Sequence, residues 1–392
     1  MIEISKAFGK LGLTAFGGPV AHIGFFRQEF VEHRQWITEQ QFSQLLAICQ
    51  FLPGPASSQM GFAIGLMRAG WLGAFAAFVA FTLPSAVALF AFASFAIYLD
   101  NASGQAIIQG LKLVAVAVVA HAVFSMSKSL TPDRPRRFIA LLTLWILLLF
   151  SHLWMQLLVI VMGALFGLVM CRHLTTPISQ LSVNYSSRLA TFFALLFASL
   201  LLFSIVLPTA QSTPLNMFAT FYQAGALVFG GGHVVLPLLE QSTVGYGWVD
   251  TDTFLAGYGA AQAVPGPLFT FASYLGAEIN TGLPASLGAL IAIMGIFLPG
   301  FLLLLAVLPF WAKIASIPKA SAAIVGVNAA VVGLLAAALY DPIITSSLHH
   351  WTDVIIALLG FLILTALKQS ALWVVCFCLV ASLGLSILPL LN

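Results

Sequence analysis

The sequence is poor in charged residues. Only 7% of its 392 residues are Asp, Glu, Lys or Arg, whereas 61% are hydrophobic. A soluble globular protein carries about 25% charged residues, because a water-facing surface needs them to stay in solution. The composition therefore excludes a soluble enzyme, a nucleic-acid-binding protein and a disordered chain. It predicts a polytopic membrane protein built from α-helices.

Motifs that carry catalysis or bind metals are also missing. The sequence holds four cysteines, and none of them has a spacing that suits zinc. It contains no paired carboxylates, no histidine cluster at metal spacing, no nucleophile elbow and no phosphate-binding loop. We therefore expect no enzyme, no cofactor and no bound metal.

The hydrophobic residues form long blocks, several of which reach the roughly 20 residues that a helix needs to cross a bilayer. Two regions break this pattern. Two stretches of roughly 13 residues flank Pro53-Gly54-Pro55, and Phe16-Gly17-Gly18-Pro19 interrupts the first apolar segment. Because proline lacks an N–H group, the first region cannot form one continuous helix. We expect a broken or re-entrant helix pair that lines a polar cavity, with two ordinary spans as the alternative.

Both breaks recur in the second half of the chain. Phe8, Gly12 and Phe16-Gly17-Gly18 match Phe221, Gly225 and Phe229-Gly230-Gly231 at an offset of 213. The second break, Pro53-Gly54-Pro55, matches Pro265-Gly266-Pro267 at 212, and Leu83-Pro84 matches Leu298-Pro299 at 215. The steady offsets predict an internal duplication, with repeats at residues 1–172 and 214–392. The linker 173–213 between them contains an extra transmembrane helix at 189–207.

The placement of charge predicts that the two repeats are inverted in the membrane. Segment 128–137 carries four Lys or Arg residues, whereas its counterpart 341–353 carries two Asp and no Lys or Arg. Cytoplasmic loops are the ones that hold Lys and Arg, so equivalent loops lie on opposite sides. We expect 128–137 to be cytoplasmic and 341–351 to be periplasmic.

Inverted repeats with paired broken helices are typical of secondary transporters, whose substrates bind at the repeat interface. The half-helix after each Pro-Gly-Pro motif begins with unpaired N–H groups and a positive dipole end, which favour an anion. Hydroxyl and amide side chains near these helix starts would donate hydrogen bonds, and Lys112 would offset the negative charge. The candidate substrate-binding residues are Gly17, Gly18, Pro53, Gly54, Pro55, Ser57, Ser58, Gln59, Lys112, Gly230, Gly231, Gly232, Pro265, Gly266, Pro267 and Thr270.

Four ionisable side chains have two interpretations each. Lys112 lies within an apolar segment, where a lysine is costly unless it is paired or faces water; it either contacts the anion or extends to the membrane interface. His22 and His233 follow the two glycine breaks, and Glu278 lies at the far end of the second half-helix. Each of these three is either a proton-coupling group or a structural residue.

Several segments resemble the chromate ion transporter family. In the first half they are FGGPVAHIGFFRQEFV, QFLPGPASSQMGFAIGLMRAG and FTLPSA; in the second half they are FYQAGALVFGGGHVVLPLLE and FLAGYGAAQAVPGPLFTFASYLGAE. The resemblance covers nearly the whole chain and is closest to the two-domain bacterial form. It implies export of chromate across the bacterial cytoplasmic (inner) membrane, which gives chromate resistance.

The residues themselves indicate an anion without selecting chromate, since sulfate is also a tetrahedral dianion. A transporter of sulfate or another anion, working by uptake or antiport, therefore stays open. An integral-membrane enzyme is an alternative of another class. The expected partners are the oxyanion and the lipid bilayer, with no nucleic acid, and a homodimer stays open.

Overall fold

The protein is represented by a computed structural model that describes residues 1–16, 18–96, 101–150, 153–171, 185–207, 211–229, 232–311 and 317–387. Within these ranges the chain is almost entirely helical and contains no strand. Gly17, Gly230, Gly231 and residues 173–184 of the linker, all part of the predictions above, lie outside the described residues.

The N-terminal half and the linker form eight helices in the described ranges. They are α1 (Ile2–Thr14), α2 (Gly18–Arg27, continued by a π-helical turn at Gln28–His33), α3 (Glu39–Phe51), α4 (Ala56–Ala96), α5 (Ala102–Leu130), α6 (Arg134–Leu149), α7 (Leu153–Met170) and α8 (Ser187–Val206). The last of these overlaps segment 189–207, for which the sequence predicts an extra transmembrane helix.

The C-terminal half follows the same order of elements. Its main helices are α9 (Pro214–Leu227), α10 (Val235–Thr243), α11 (Thr251–Ala261), α12 (Phe271–Glu278), α13 (Ala285–Val307), α14 (Pro318–Ala338), α15 (Trp351–Thr365) and α16 (Ala371–Ile387). Short 3₁₀ turns precede α10 and α12.

Five helical stretches among the described residues are long and apolar enough to cross a membrane. They are Ala56–Phe95, Ser103–Leu130, Ser187–Val206, Ala285–Phe310 and Lys319–Ser347. The prediction of an all-α, multi-pass membrane protein is therefore confirmed.

The helices that precede the Pro-Gly-Pro motifs are short. Helix α3 begins with a capping box between Thr38 and Gln41 and ends at Phe51, just before the first motif. In the second half, Asp250 caps α11, which ends at Ala261 before the second motif. Each motif lacks the N–H groups that would continue the helix, so the chain restarts in a new direction.

The first long stretch is in fact a short helix followed by a longer one. The backbone of α4 is not helical at Ala69 and Gly70. A Cβ atom on Gly65 would lie 2.4 Å from the Gly73 carbonyl oxygen, although eight residues of continuous helix would separate the two positions by about 12 Å. The chain therefore folds back at Ala69-Gly70, and the two glycines allow the backbones to touch.

The same contact occurs in the second half. A Cβ atom on Gly276, at the end of α12, would lie 2.5 Å from the Gly288 carbonyl oxygen in α13. Gly73 and Gly288 are separated by 215 positions, one of the offsets that relate the two halves, and Gly65 and Gly276 by 211, one position short of the smallest of them. Each Pro-Gly-Pro motif is thus followed by a short helix that packs closely on the long helix after it.

Helix α5 lies in the interior of the helix bundle. Its residues Leu113, Val114, Ala115, Ala117 and Val119 are fully buried, and it contacts α11, α15 and α16. By contrast, α8 exposes large apolar side chains, among them Leu195 and Leu202, as expected for a helix that faces lipid.

Candidate functional site

The two broken-helix regions are joined by a reciprocal pair of backbone hydrogen bonds. The Gly54 N–H donates to the carbonyl oxygen of Val228, which follows α9 (N···O 2.8 Å), and the Gly266 N–H donates to the carbonyl oxygen of Ala15, which follows α1 (3.0 Å). Each Pro-Gly-Pro motif therefore contacts the residue that immediately precedes the Phe-Gly-Gly motif of the opposite half. The four residues are equivalent in pairs, which makes the arrangement pseudo-symmetric.

Both central glycines hold conformations that L side chains rarely adopt. Gly54 has φ +118° and Gly266 has φ +100°. A Cβ atom on Gly54 would lie 3.0 Å from the Gly300 Cα atom, and one on Gly266 would lie 2.9 Å from the Ser85 hydroxyl oxygen. Gly300 and Ser85 are themselves equivalent, because each follows the Leu-Pro of its half. Glycine is thus required at both centres for conformation and for space.

The Gln59 side chain connects the first motif to the second half. Its Nε2 group donates to the carbonyl oxygens of Pro53 (3.0 Å) and Gly300 (2.9 Å). The residue is fully buried, and its Oε1 atom has no hydrogen-bond partner among the described residues. The amide therefore fixes the motif against α13 and leaves one buried acceptor for a proton-bearing group.

His22 and Ser57 extend this network toward the second motif. The His22 Nε2–H donates to the Ala15 carbonyl oxygen (3.0 Å), the same atom that accepts from Gly266. In the neutral ring, Nδ1 is then an acceptor, and it lies 3.4 Å from the Ser57 hydroxyl oxygen. A chain of polar contacts thus links the first half-helix with the second Pro-Gly-Pro motif.

Ser58 has a buried hydroxyl group without a partner. It is 2% exposed, and its Oγ atom makes no hydrogen bond to the part of the chain that the structure describes. It stands in the first turn of α4, where backbone N–H groups are not used by the helix. The structure therefore combines a free hydroxyl donor with a helix N-terminus at the position that the sequence indicated.

The matching helix start in the second half is less polar. Thr270 donates its hydroxyl to the Pro267 carbonyl oxygen (2.7 Å), so this group is already used. The positions equivalent to Ser57 and Gln59 are Phe269 and Phe271, which pack on other aromatic rings. The polar groups of the candidate site come mainly from the first half.

His233 lies in a different environment from His22. Its Nδ1 atom is 2.7 Å from the Tyr258 hydroxyl oxygen in α11, and the described contacts do not connect it with His22. The structure therefore brings His22, Ser57 and Gly266 into one network through the Ala15 carbonyl oxygen and places His233 apart from it.

Lys112 has a partner that the sequence analysis did not assign. Its Nζ atom is 2.7 Å from Oδ1 of Asp252 in the first turn of α11. The lysine side chain is 5% exposed and the aspartate side chain 62%. The Leu111 backbone packs against Gly259, near the inner end of α11, so the lysine extends outward along α11 to reach Asp252.

Asp252 also lines a pocket that we call the outer pocket, together with Gln105, Asp250, Tyr274 and Glu278. Its volume is about 540 Å³. Burial raises the pKa of the Glu278 carboxyl, and the nearby Asp250 carboxylate adds to the rise. The pocket is therefore acidic, and Glu278 is the carboxyl in it that holds a proton more readily than usual.

Two kinds of residue were missed by the sequence analysis. Ser85 and Gly300 contact the motif glycines, and the offset of 215 that relates Leu83-Pro84 to Leu298-Pro299 could have identified them. Asp252 was not among the candidate residues, although the cost of a lone intramembrane lysine was a reason to look for a nearby carboxylate.

Comparison with known proteins gives a consistent result over the chain. A family model described as chromate transporter matches residues 2–168 and again residues 215–383. The resemblance that the sequence motifs indicated is thereby confirmed. No solved structure matches the chain at a significant level.

Three curated relatives illustrate the similarity. A probable chromate transport protein of Synechococcus elongatus is 29% identical over 363 residues, which cover 92% of this chain and 88% of the relative. A chromate transport protein of Pseudomonas aeruginosa is 31% identical over 343 residues, covering 86% and 80%. One from Cupriavidus metallidurans is 27% identical over 339 residues, covering 86% and 81%.

Proposed function

The chain belongs to the chromate transporter family, and on this basis we propose that it exports chromate across the bacterial cytoplasmic membrane as a secondary transporter. Its named relatives are transport proteins, and we assign it no enzymatic reaction. Export would give the cell resistance to chromate.

The observation that carries this proposal is the reciprocal pair of hydrogen bonds between the two halves. Gly54 binds Val228 and Gly266 binds Ala15, so the broken helices of both repeats meet at one place. A site formed between two inverted repeats can open to either side when one repeat moves against the other. We propose that residues 1–172 and 214–392 are these repeats.

Chromate would bind at the start of α4, next to the first motif. The proposed donors are the Ser57 and Ser58 hydroxyl groups and the backbone N–H groups of the first helical turn. A fully hydrated dianion must exchange its water for such donors when it enters a membrane protein. Sulfate has the same shape and charge, so these donors bind the class of tetrahedral dianions, and competition experiments decide the preference.

The acidic outer pocket favours release over capture of an anion. Asp250 and Asp252 line it with Glu278, and like charges in a partly enclosed pocket repel an incoming dianion. In the inverted topology this pocket faces the periplasm, on the side opposite segment 128–137. Repulsion there assists departure of the dianion in the direction of export.

The membrane potential is a sufficient energy source. Moving one charge across 100 mV corresponds to about 2.3 kcal/mol, and a dianion leaving a cell that is negative inside gains about twice this amount. Glu278 offers a proton-coupled alternative, because its pKa is already raised.

The direct test is uptake of chromate into everted membrane vesicles that contain the protein. We expect uptake to require the protein, to leave the chromium as Cr(VI), and to persist when the pH gradient is collapsed at constant potential. Sulfate and molybdate are added in competition to measure the preference among oxyanions. Formation of Cr(III) would indicate reduction instead, and uptake that survives loss of the potential at constant pH gradient would exclude the potential-driven form.

The inverted topology has its own test. In a chain whose native cysteines Cys49, Cys171, Cys376 and Cys378 are replaced, a cysteine is placed at Pro135 or at Ser346. We expect an impermeant thiol reagent to label the Ser346→Cys chain on intact cells and the Pro135→Cys chain only in everted vesicles. Equal labelling of both chains on intact cells would reject the inverted arrangement.

A further inference from the structure

A groove of about 510 Å³ opens on the side of the helix bundle between α5, α6 and α14. One end, which we call the basic rim, carries Lys128 and Arg137. The deeper walls are apolar and include Leu141, Leu144 and Ala336. Leu141 is exposed on the surface, so the groove is accessible from the side of the bundle.

The long axis of the groove follows α6 from its first turn inward. Arg137 and Leu144 are seven positions apart, which corresponds to about 10 Å of helix. One half of the hydrocarbon core is about 15 Å thick, taking about 30 Å for the whole. The groove therefore reaches from the membrane surface well into one leaflet, with its charges at the surface end.

The cations of the basic rim are held in place but keep free donors. Arg137 donates from Nε to the Thr131 carbonyl oxygen (3.1 Å) and from Nη2 to the Pro132 carbonyl oxygen (2.8 Å). A guanidinium has five N–H donors, so others can bind a ligand. Lys128 places its Nζ atom 3.9 Å from the centre of the Phe124 ring.

The nearby carboxylate does not neutralise the rim. Asp133 caps α6 and binds the Arg136 side chain, with an N···O distance of 2.6 Å. Its charge is therefore compensated by an arginine that does not line the groove. Lys128 and Arg137 together give the rim a net positive charge.

We propose that this groove binds one anionic phospholipid, with its phosphate between Lys128 and Arg137 and an acyl chain along Leu141, Leu144 and Ala336. Basic pockets between transmembrane helices suit anionic lipid head groups, and arginine matches the geometry of a phosphate. A free phosphate ion would leave the apolar walls without a ligand, and a neutral lipid would leave the rim without a counter-charge. This site is separate from the proposed oxyanion site and does not depend on the transported substrate.

The test is native mass spectrometry of the purified full-length protein in mild detergent, with phosphatidylglycerol, phosphatidylcholine or inorganic phosphate added. We expect one phosphatidylglycerol to remain bound at concentrations at which phosphatidylcholine and phosphate do not. Lys128→Gln should weaken its binding at least tenfold. This variant keeps the Arg137 bonds that hold the loop, so its fold is not at risk.

Two further variants make the test specific. Lys319→Gln removes an exposed cation at the start of α14 that does not line the groove, and it should bind phosphatidylglycerol normally. Ala336→Phe fills the deep end and should also weaken lipid binding at least tenfold, although the basic rim is intact. Equal binding of phosphatidylcholine, unchanged binding by Lys128→Gln, or unchanged binding by Ala336→Phe would each overturn the proposal.

Discussion

Gly54→Ala should nearly abolish chromate transport. The added methyl group would occupy a residue with φ +118°, which costs of order 1–3 kcal/mol for a residue other than glycine. It would also lie 3.0 Å from the Gly300 Cα atom and from the Gln59 amide nitrogen, so the bond of Gln59 to Gly300 would be disturbed. We expect the initial rate of chromate uptake into everted vesicles to fall at least tenfold.

Gly70→Ala is the matched control for this variant. Gly70 also has a positive φ, +66°, but no atom of the residues within the described ranges lies within 4 Å of its added Cβ. It therefore carries the conformational cost without the steric contact, and we expect transport within about twofold of normal, a difference of about 0.4 kcal/mol. If both variants lose transport equally, backbone strain alone explains the result and the contact of Gly54 with Gly300 has no special role.

The equivalent experiment can be carried out at the second Pro-Gly-Pro motif. Gly266→Ala should also impair transport, because its Cβ would lie 2.9 Å from the Ser85 hydroxyl oxygen. That oxygen belongs to a side chain, so Ser85→Ala removes the clash. We therefore expect the Gly266→Ala, Ser85→Ala double variant to recover part of the transport that Gly266→Ala loses.

The broken helices were predictable because their cause is local. Pro53 and Pro55 remove two backbone N–H groups within three residues, and with Gly54 between them they strongly disfavour a continuous helix; α3 ends at Phe51 and α4 begins at Ala56. The apolar blocks could likewise be predicted to be helices, because within lipid only a helix satisfies the backbone hydrogen bonds of a segment without a partner strand.

The partners of the motifs were not predictable because they are not local. Gly54 lies 174 positions from Val228, whose carbonyl oxygen it binds. A local sequence pattern cannot predict a partner that is so far away along the chain. The duplication shows that Ala15 is equivalent to Val228 and Gly54 to Gly266, so the two motifs are expected to have equivalent partners. It does not say whether each motif binds a residue of its own half or of the opposite half, and the structure is needed to decide between the two.

Lys112 illustrates the same limit for charge. A lysine within the membrane needs a carboxylate or water nearby, but the sequence contains twelve acidic residues that could be its partner. Asp252 becomes the partner because α5 packs against α11 so closely that a Cβ on Gly259 would overlap the Leu111 backbone. The helix contact, and not the spacing of charges in the sequence, determines the pair.

Lys112→Gln should reduce chromate uptake at least tenfold, a loss of about 1.4 kcal/mol of anion stabilisation. From the sequence we expect the ammonium of Lys112 to offset part of the charge of the dianion, while each helix N-terminus supplies only about half a charge. Glutamine keeps a polar N–H donor on a side chain only one atom shorter and removes the charge. Lys112→Arg should keep partial transport, because the charge remains while the shape of the donor changes. Initial rates and KM for chromate in everted vesicles are the measurement.

The pairing of Lys112 with Asp252 allows a structural role to be separated from an anion contact. If Lys112 only balances Asp252, the Lys112→Gln, Asp252→Asn double variant leaves no unpaired charge and should transport normally. If Lys112 stabilises the anion, the double variant should stay as inactive as Lys112→Gln. Asp252→Asn alone should then lower KM for chromate, because it frees an ammonium that is 5% exposed. Asp250→Asn is its control: it removes a neighbouring charge, and asparagine still caps α11. Normal rate and KM in Lys112→Gln would remove the lysine from the site and leave the start of α4 as the anion-binding element.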